Sequence, residues 1–335
     1  MATTKTTARI SIRERVPTIN INDYRQGKLS AESIAALDKA CRDHGFFLLL
    51  GHGLDDLMTQ MWQQAEGFFK EPQALKQSVR RSEKNPMGYY DRELTKQKRD
   101  LKEVFDFKAG GHQSTRSHVQ TQWPDDRPEF KQVLSDYFVA CTQLAEDTIS
   151  MVYANLGLSL DNVASDFGSI HTSSMRLNHY PIDDLLTAAD RLEVNPLGDM
   201  ALHHHTDPGS ITLLAQDNTG GLQALSKSEG WINIPPKANT FVVNLGDCLQ
   251  VQTNDHYVAA VHRVVPMSDK NRYSTPFFFQ PRFDAVIKPL NKDQVGQPLY
   301  REFSWRDYIK GRVTDNYADL GEDDIQISRY KMATT

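Results

Sequence analysis

The sequence predicts an α+β chain with a mainly β core, a double-stranded β-helix (jelly roll) flanked by helices. Two observations carry this. From residue 171 to 287 short β-branched and apolar runs are separated by turn signals such as Asn218-Thr219-Gly220-Gly221, the pattern of a sandwich or jelly roll. Before that stretch, apolar residues recur at helical spacing instead. No internal repeat or low-complexity tract competes with this reading.

Residues 1–15 are polar and are expected to form a mobile arm. Ile34, Leu37 and Cys41, after a Ser30 N-cap, predict a helix over 31–44, followed by a strand over Phe46–Leu50. Met61, Ala65, Phe68 and Phe69 mark one side of a second helix over 57–69, and an aromatic stripe of this kind belongs to a core. The charged stretch Arg80–Arg99 reads as a solvated loop or as a lid near an active site. After a polar connection over 109–127, Phe130, Val133, Leu134, Tyr137, Phe138, Cys141, Leu144, Ile149 and Val152 trace one long helix that braces a sheet, within a segment spanning 126–170. The strands Ile211–Ala215, Trp231–Ile234, Thr240–Asn244 and Val258–Val265 fall in a core of 171–290. In the last segment, 291–335, Phe303, Trp305 and Tyr308 suit a short helix on the barrel, and the acidic tail after Asn316 could close over a site.

A net charge of −5 gives no basic footprint, which argues against nucleic acid and anionic membrane and leaves small molecules as the expected partners. No obligate protein partner is evident. Three scattered cysteines, an odd number, point to a reducing compartment without a disulfide frame. The N-terminus lacks the apolar region of a signal peptide, and no run approaches the ~20 apolar residues of a membrane span. A cytoplasmic location is the expectation.

Chemistry concentrates in three short pieces: His205-Thr206-Asp207, His262-Arg263-Val264 and Arg272-Tyr273-Ser274. In an extended strand residues i and i+2 share a face, so His205 and Asp207 can reach one ion while Thr206 points away. His262, in a β-branched apolar run, can supply a third donor. Two imidazoles and a carboxylate without a cysteine are the donors of a facial triad that leaves positions open on Fe(II) for oxygen chemistry. A lone His in an apolar strand is more often a core or surface residue, so the weight lies on the set. His203 shares the face of His205 by alternation, while His204 does not; residue 205 is the nearer partner for Asp207. A catalytic zinc with a bound water fits the same donors. Arg272 and Ser274 favour iron, because a guanidinium with a hydroxyl on the same face grips a co-substrate carboxylate that hydrolytic zinc does not need.

With these motifs the chain resembles the isopenicillin N synthase-like branch of the Fe(II)- and 2-oxoglutarate-dependent oxygenases, from about Val16 to Tyr308. Val16-Pro17-Thr18-Ile19 and Gly45-Phe46-Phe47 with Gly51-His52-Gly53 are similar to the family's opening elements. Gly88-Tyr89 and Lys102-Glu103-Val104-Phe105-Asp106-Phe107 resemble its substrate-side segments. Arg176-Leu177-Asn178-His179-Tyr180-Pro181, His205-Thr206-Asp207 with Thr212-Leu213-Leu214, and Asn244-Leu245-Gly246-Asp247 are similar to its core motifs. Several ordered motifs in one chain are far more specific than any one of them.

The resemblance implies His205, Asp207 and His262 as iron ligands and Arg272 and Ser274 as the grip on 2-oxoglutarate, with Tyr180 and Asn178 in support. It implies 2-oxoglutarate and O2 as co-substrates, release of succinate and CO2, and oxidation of an unactivated C–H bond of a small metabolite: hydroxylation first, desaturation or ring closure as other outcomes. Segments 16–125 and 171–290 would be the family's N-terminal region and catalytic core. Tyr89, Phe105, Phe107, Arg176 and Phe278 are expected to face the substrate. Two departures stand out: Asp255 replaces a turn glycine, and Pro276 falls inside an expected strand, which suggests an edge or a bulge. The rival readings are an oxidase of this fold that does not use 2-oxoglutarate and a non-catalytic metal- or ligand-binding jelly roll.

Overall fold

The computed structural model describes residues 15–82, 84–95, 97–109, 119–159, 161, 164–167, 172–290, 296–313 and 326–332. The expected arm, apart from Arg15, therefore lies outside the described residues, as do 110–118 of the polar connection and 314–325 of the tail.

The chain begins with β1 (Thr18–Asn20), α1 (Ile21–Arg25), α2 (Ala31–Asp43), β2 (Phe46–Leu50), α3 (Asp55–Phe69) and α4 (Gln73–Ser78). As expected, Ser30 caps α2 by accepting from Ser33 N. Four short strands follow: β3 (Gly88–Tyr90), β4 (Leu94–Thr95), β5 (Lys98–Arg99) and β6 (Glu103–Phe107). Then come the long helix α5 (Pro128–Ala154), α6 (Ala164–Phe167) and the core strands β7 (Ser174–Tyr180), β8 (Leu202–His205), β9 (Ile211–Gln216), β10 (Leu222–Ser226), β11 (Gly230–Asn233) and β12 (Phe241–Leu245). The chain closes with α7 (Asp247–Gln252), β13 (His262–Val264), β14 (Arg272–Phe279), β15 (Val286–Ile287), β16 (Phe303–Ser304) and α8 (Trp305–Val313). Among the described residues no helix is long and apolar enough to cross a membrane.

Two sheets make the core: β1-β2-β12-β9-β14-β7-β6-β3 and β11-β10-β13-β8. Alternation along each strand splits the side chains of the larger sheet. Its outer set, including Phe47, Leu49, Leu213, Val243, Leu177, Phe105 and Phe277, packs with Phe68, Tyr137 and Leu144 of α3 and α5. Its inner set, including Phe46, Leu48, Leu214 and Val242, meets Leu222, Ala224, Ile232 and Val264 of the smaller sheet. Each fully buried Phe or Leu adds roughly 1.5–3 kcal/mol, so the two layers fix the sandwich and leave its polar end for chemistry.

Three expectations need correction. Of the strand expected over Val258–Val265 only His262–Val264 forms, because Val258 N and Ala260 N donate instead to the carbonyls of Cys41 and Leu245. Arg80–Arg99 is not a solvated loop: Arg81, Asp91, Glu93 and Arg99 are buried and largely ion-paired. Pro276 lies in a central strand with no bulge; the register to β9 is continuous, and on the β7 side pairing lapses at 275 and 276 without shifting. At Asp255 the backbone does take the glycine-like conformation, φ 66°. Its carboxylate is held by Gln250, Tyr300 and Lys331, which offsets the strain.

Candidate active site

His205 ends β8 and pairs directly with His262, the first residue of β13. The imidazole centroids are 4.3 Å apart. Asp207 Oδ1 lies 3.7 Å from His205 Nε2 and 3.9 Å from His262 Nε2. One ligand atom from each of the three lies within 4.8 Å of the others, and among the described residues no other group of three His, Cys, Asp or Glu does this.

Each ring is aimed by a main-chain carbonyl. His205 Nδ1 is 2.9 Å from His203 O, and His262 Nδ1 is 2.8 Å from Ala260 O. A proton on Nδ1 donates there and leaves the Nε2 lone pair directed at Asp207. Burial, with His262 beside it, pushes His205 down to about 3, so its ring is neutral, as a metal ligand must be. Asp207 Oδ2 accepts from Thr212 Oγ1 at 2.5 Å and Asn244 Nδ2 at 2.8 Å. Burial alone would raise Asp207, but the imidazoles and these donors outweigh it and hold the carboxyl below its ordinary value. With Oδ2 spent, Oδ1 is left for an ion. Two imidazoles and one carboxylate, each oriented by an outer partner, fit a non-haem Fe(II) that keeps open positions.

The loop carrying Asp207 rests on the turn after β12. Asp247 N donates to Asp207 O at 2.9 Å and Cys248 N to Gly209 O at 3.0 Å. That approach requires Gly246, since a Cβ there would meet Gly209 O at 2.3 Å.

Arg272, on the inner face of β14, is 1% exposed. It donates to Gly220 O (2.7 Å), Ser274 Oγ (3.1 Å) and Gln216 Oε1 (3.3 Å). Its guanidinium stands 5.0 Å from the Tyr180 ring centroid, and Asn178 Nδ2 donates to Ser274 Oγ at 3.3 Å. Among the described residues no carboxylate pairs with Arg272. A buried cation without a counter-charge is costly, and an incoming acid relieves that cost. The residues present therefore fit both an iron ion and a dicarboxylate co-substrate.

The structure separates the other expected residues. The register of β8 shifts between Leu202 and His205, and the His203 ring faces Asp100 and Asp199 at 3.3 and 3.1 Å; His204 is exposed beside Trp231. Phe278 shares the inner face with Arg272 and Ser274, opposite Thr212 and Ser174. Tyr89, Phe105 and Phe107 do not reach the pocket. All are fully buried in the helix-facing core, and Tyr89 Oη donates to Glu103 at 2.6 Å. Alternation instead puts Lys102, Val104, Asp106 and Lys108 on the inner face with Asn178 and Arg176. Arg176 is committed elsewhere: it donates twice to Glu93 and twice to Asp106, at 2.7–3.0 Å. Lys102, bonded to Glu93 and Asp100, joins the same cluster. Sequence reasoning missed this charged wall because it chose the aromatic residues of β6; the alternating charges of Lys102, Asp106 and Lys108 were the available signal.

A jelly roll with a two-histidine, one-carboxylate facial triad and a buried arginine beside it defines a non-haem iron oxygenase. Comparison with known proteins agrees. Residues 171–281 match the family described as the 2OG-Fe(II) oxygenase superfamily, and residues 16–126 match the N-terminal region of the non-haem dioxygenases in morphine synthesis. Gibberellin 2-beta-dioxygenase 2 of Arabidopsis thaliana is 30% identical over 312 residues, covering 91% of this chain and 86% of its own. The fold is similar to Neurospora crassa T7H in complex with alpha-KG (TM-score 0.74, 26% identity, 88% of this chain and 94% of that one). It is also similar to JOX2 in complex with 2OG, Fe and JA (TM-score 0.73, 27% identity, 88% and 83%). The chain belongs to the 2OG-Fe(II) oxygenase superfamily, and it is an Fe(II)- and 2-oxoglutarate-dependent dioxygenase.

Proposed function

We propose that His205, Asp207 and His262 hold the iron, that Arg272 and Ser274 bind the distal carboxylate of 2-oxoglutarate, and that the enzyme hydroxylates an unactivated C–H bond of a small molecule. The observation that carries this is the convergence of three oriented donor atoms within 4.8 Å, with a buried arginine that no carboxylate among the described residues neutralises. When bound, the iron and 2-oxoglutarate supply the oxidising power, with succinate and CO2 as products. The chain's own residues do the placing. Thr212 and Asn244 fix which oxygen of Asp207 is free, and the carbonyls of His203 and Ala260 fix the tautomers. Asn178 orients the Ser274 hydroxyl, and Tyr180 covers the face of the guanidinium, which keeps the acid grip dry.

Phe278 is the substrate-facing residue among those expected, supported by its place on the inner face beside Thr212. A reducing, cytoplasmic setting is supported by three separate buried thiols. The test is succinate formation from 2-oxoglutarate by the purified protein with added Fe(II). Turnover that requires both and is lost in Arg272→Gln supports the assignment; turnover indifferent to 2-oxoglutarate refutes it.

A further inference from the structure

Along the inner face of β6 the charged side chains alternate, and one of them is unlike the others. Lys102 pairs with Glu93 and Asp100, and Asp106 pairs with Arg81 and Arg176. Lys108, just past the strand, has no carboxylate partner among the described residues. Its ammonium donates to Thr172 O at 3.0 Å. Burial pushes it down to about 8, and no charged neighbour opposes the shift.

Register locates this cation. The β6 ladder ends where Phe107 pairs with Met175; Lys108 is the next residue, and extending the register sets it at the level of Ser174, which pairs with Phe278, which pairs with Thr212. Thr212 is the residue that donates to Asp207. Ser174, Phe278 and Thr212 thus form one row across the inner face, with the Asp207 carboxylate beyond one end and Lys108, whose ammonium bonds Thr172 O, beyond the other. Three strand spacings separate Thr212 from the level of Lys108, about 14 Å along the sheet and less across its curve. Arg272 lies elsewhere, opposite Tyr180 at the far end of β14. Among the described residues, Arg272 and Lys108 are thus two cations without a carboxylate partner.

We propose that Lys108 anchors a carboxylate on the primary substrate, so that the enzyme oxidises small organic acids whose reactive C–H lies several bonds from the acid group. The body of such a molecule would cross Phe278 and Ser174 to reach the iron. This rests on the proposed iron and 2-oxoglutarate sites and adds the class of substrate to them.

The test uses the full chain loaded with Mn(II), which does not turn over, and saturating 2-oxoglutarate. The probes are cyclic and linear aliphatic carboxylic acids, each with its methyl ester, and binding is read by calorimetry. At least one acid should bind the wild type about tenfold or more tightly than its ester, the discrimination expected of a partly buried charge pair. Lys108→Met should bring acid and ester together, and Lys108→Arg should keep them apart. Esters that bind as well as acids, a Met variant that keeps the preference, or no acid binding at all would overturn the proposal. Binding of 2-oxoglutarate itself, measured first in each protein, separates the two readings: a wild type that does not bind it would count against the co-substrate site rather than against Lys108.

Discussion

Arg312 Nη2 donates to the carbonyl of Thr206 at 2.6 Å, so the end of α8 is fastened to the residue between two of the proposed iron ligands. The same helix reaches the supporting turn, where Tyr308 Oη donates to Asp247 Oδ2 at 2.6 Å. Asp247 in turn holds the main chain of Asp207. The C-terminal helix is thus part of the frame that sets the ligand geometry.

Arg312→Met should therefore weaken metal binding by roughly tenfold, the low end for loss of an outer partner of a ligand. Titration of the metal-free protein with Co(II), read by its visible absorption, checks both affinity and geometry. Unchanged affinity with an unchanged spectrum would mean that the helix only packs.

Thr212→Val removes one of the two donors to Asp207 Oδ2 with little change of volume. The carboxylate then gains freedom to turn, and metal affinity should fall by roughly 10–100-fold. Gly246→Ala should do the same by another route, since its Cβ pushes on the main chain of Gly209 and Asp207. Equilibrium dialysis with Mn(II) measures both.

Arg272→Gln should leave metal binding intact and raise the 2-oxoglutarate dissociation constant strongly. Removing one partner of a buried charge pair costs about 2–5 kcal/mol, or tens- to thousands-fold. Calorimetric titration of the Mn(II) protein reads it, and an unchanged constant would move the acid grip elsewhere.

Arg176→Met should cost stability instead. It leaves Glu93 and Asp106 short of their main counter-charge in a buried cluster, a loss of about 3–5 kcal/mol. Denaturant unfolding of wild type and variant checks this; a stable variant defective only in substrate binding would return Arg176 to the pocket.

Much of this was legible in the sequence because period and chemistry coincided there. The long helix shows its apolar stripe from Phe130 to Val152, and His205 and Asp207 are two apart on an extended segment. The face of β6 was not legible in the same way. Phe105 and Phe107 carry the stronger chemical signal, while Lys102, Asp106 and Lys108 carry the geometric one, and only pairing with β7 decides between them. The outer partners were hidden for a different reason. Asn244 and Arg312 lie 37 and 106 residues from their contacts in the ligand segment, and local pattern does not report such distances.

The iron site is the centre of the account, and counting bound metal tests it most directly. Under anaerobic equilibrium dialysis with Fe(II) and 2-oxoglutarate, wild type and His203→Ala should each retain one ion per chain, while Asp207→Ala should retain none and still show the wild-type circular dichroism. Stoichiometric Fe(II) in folded Asp207→Ala, or its loss in folded His203→Ala, would contradict the assignment of His205, Asp207 and His262.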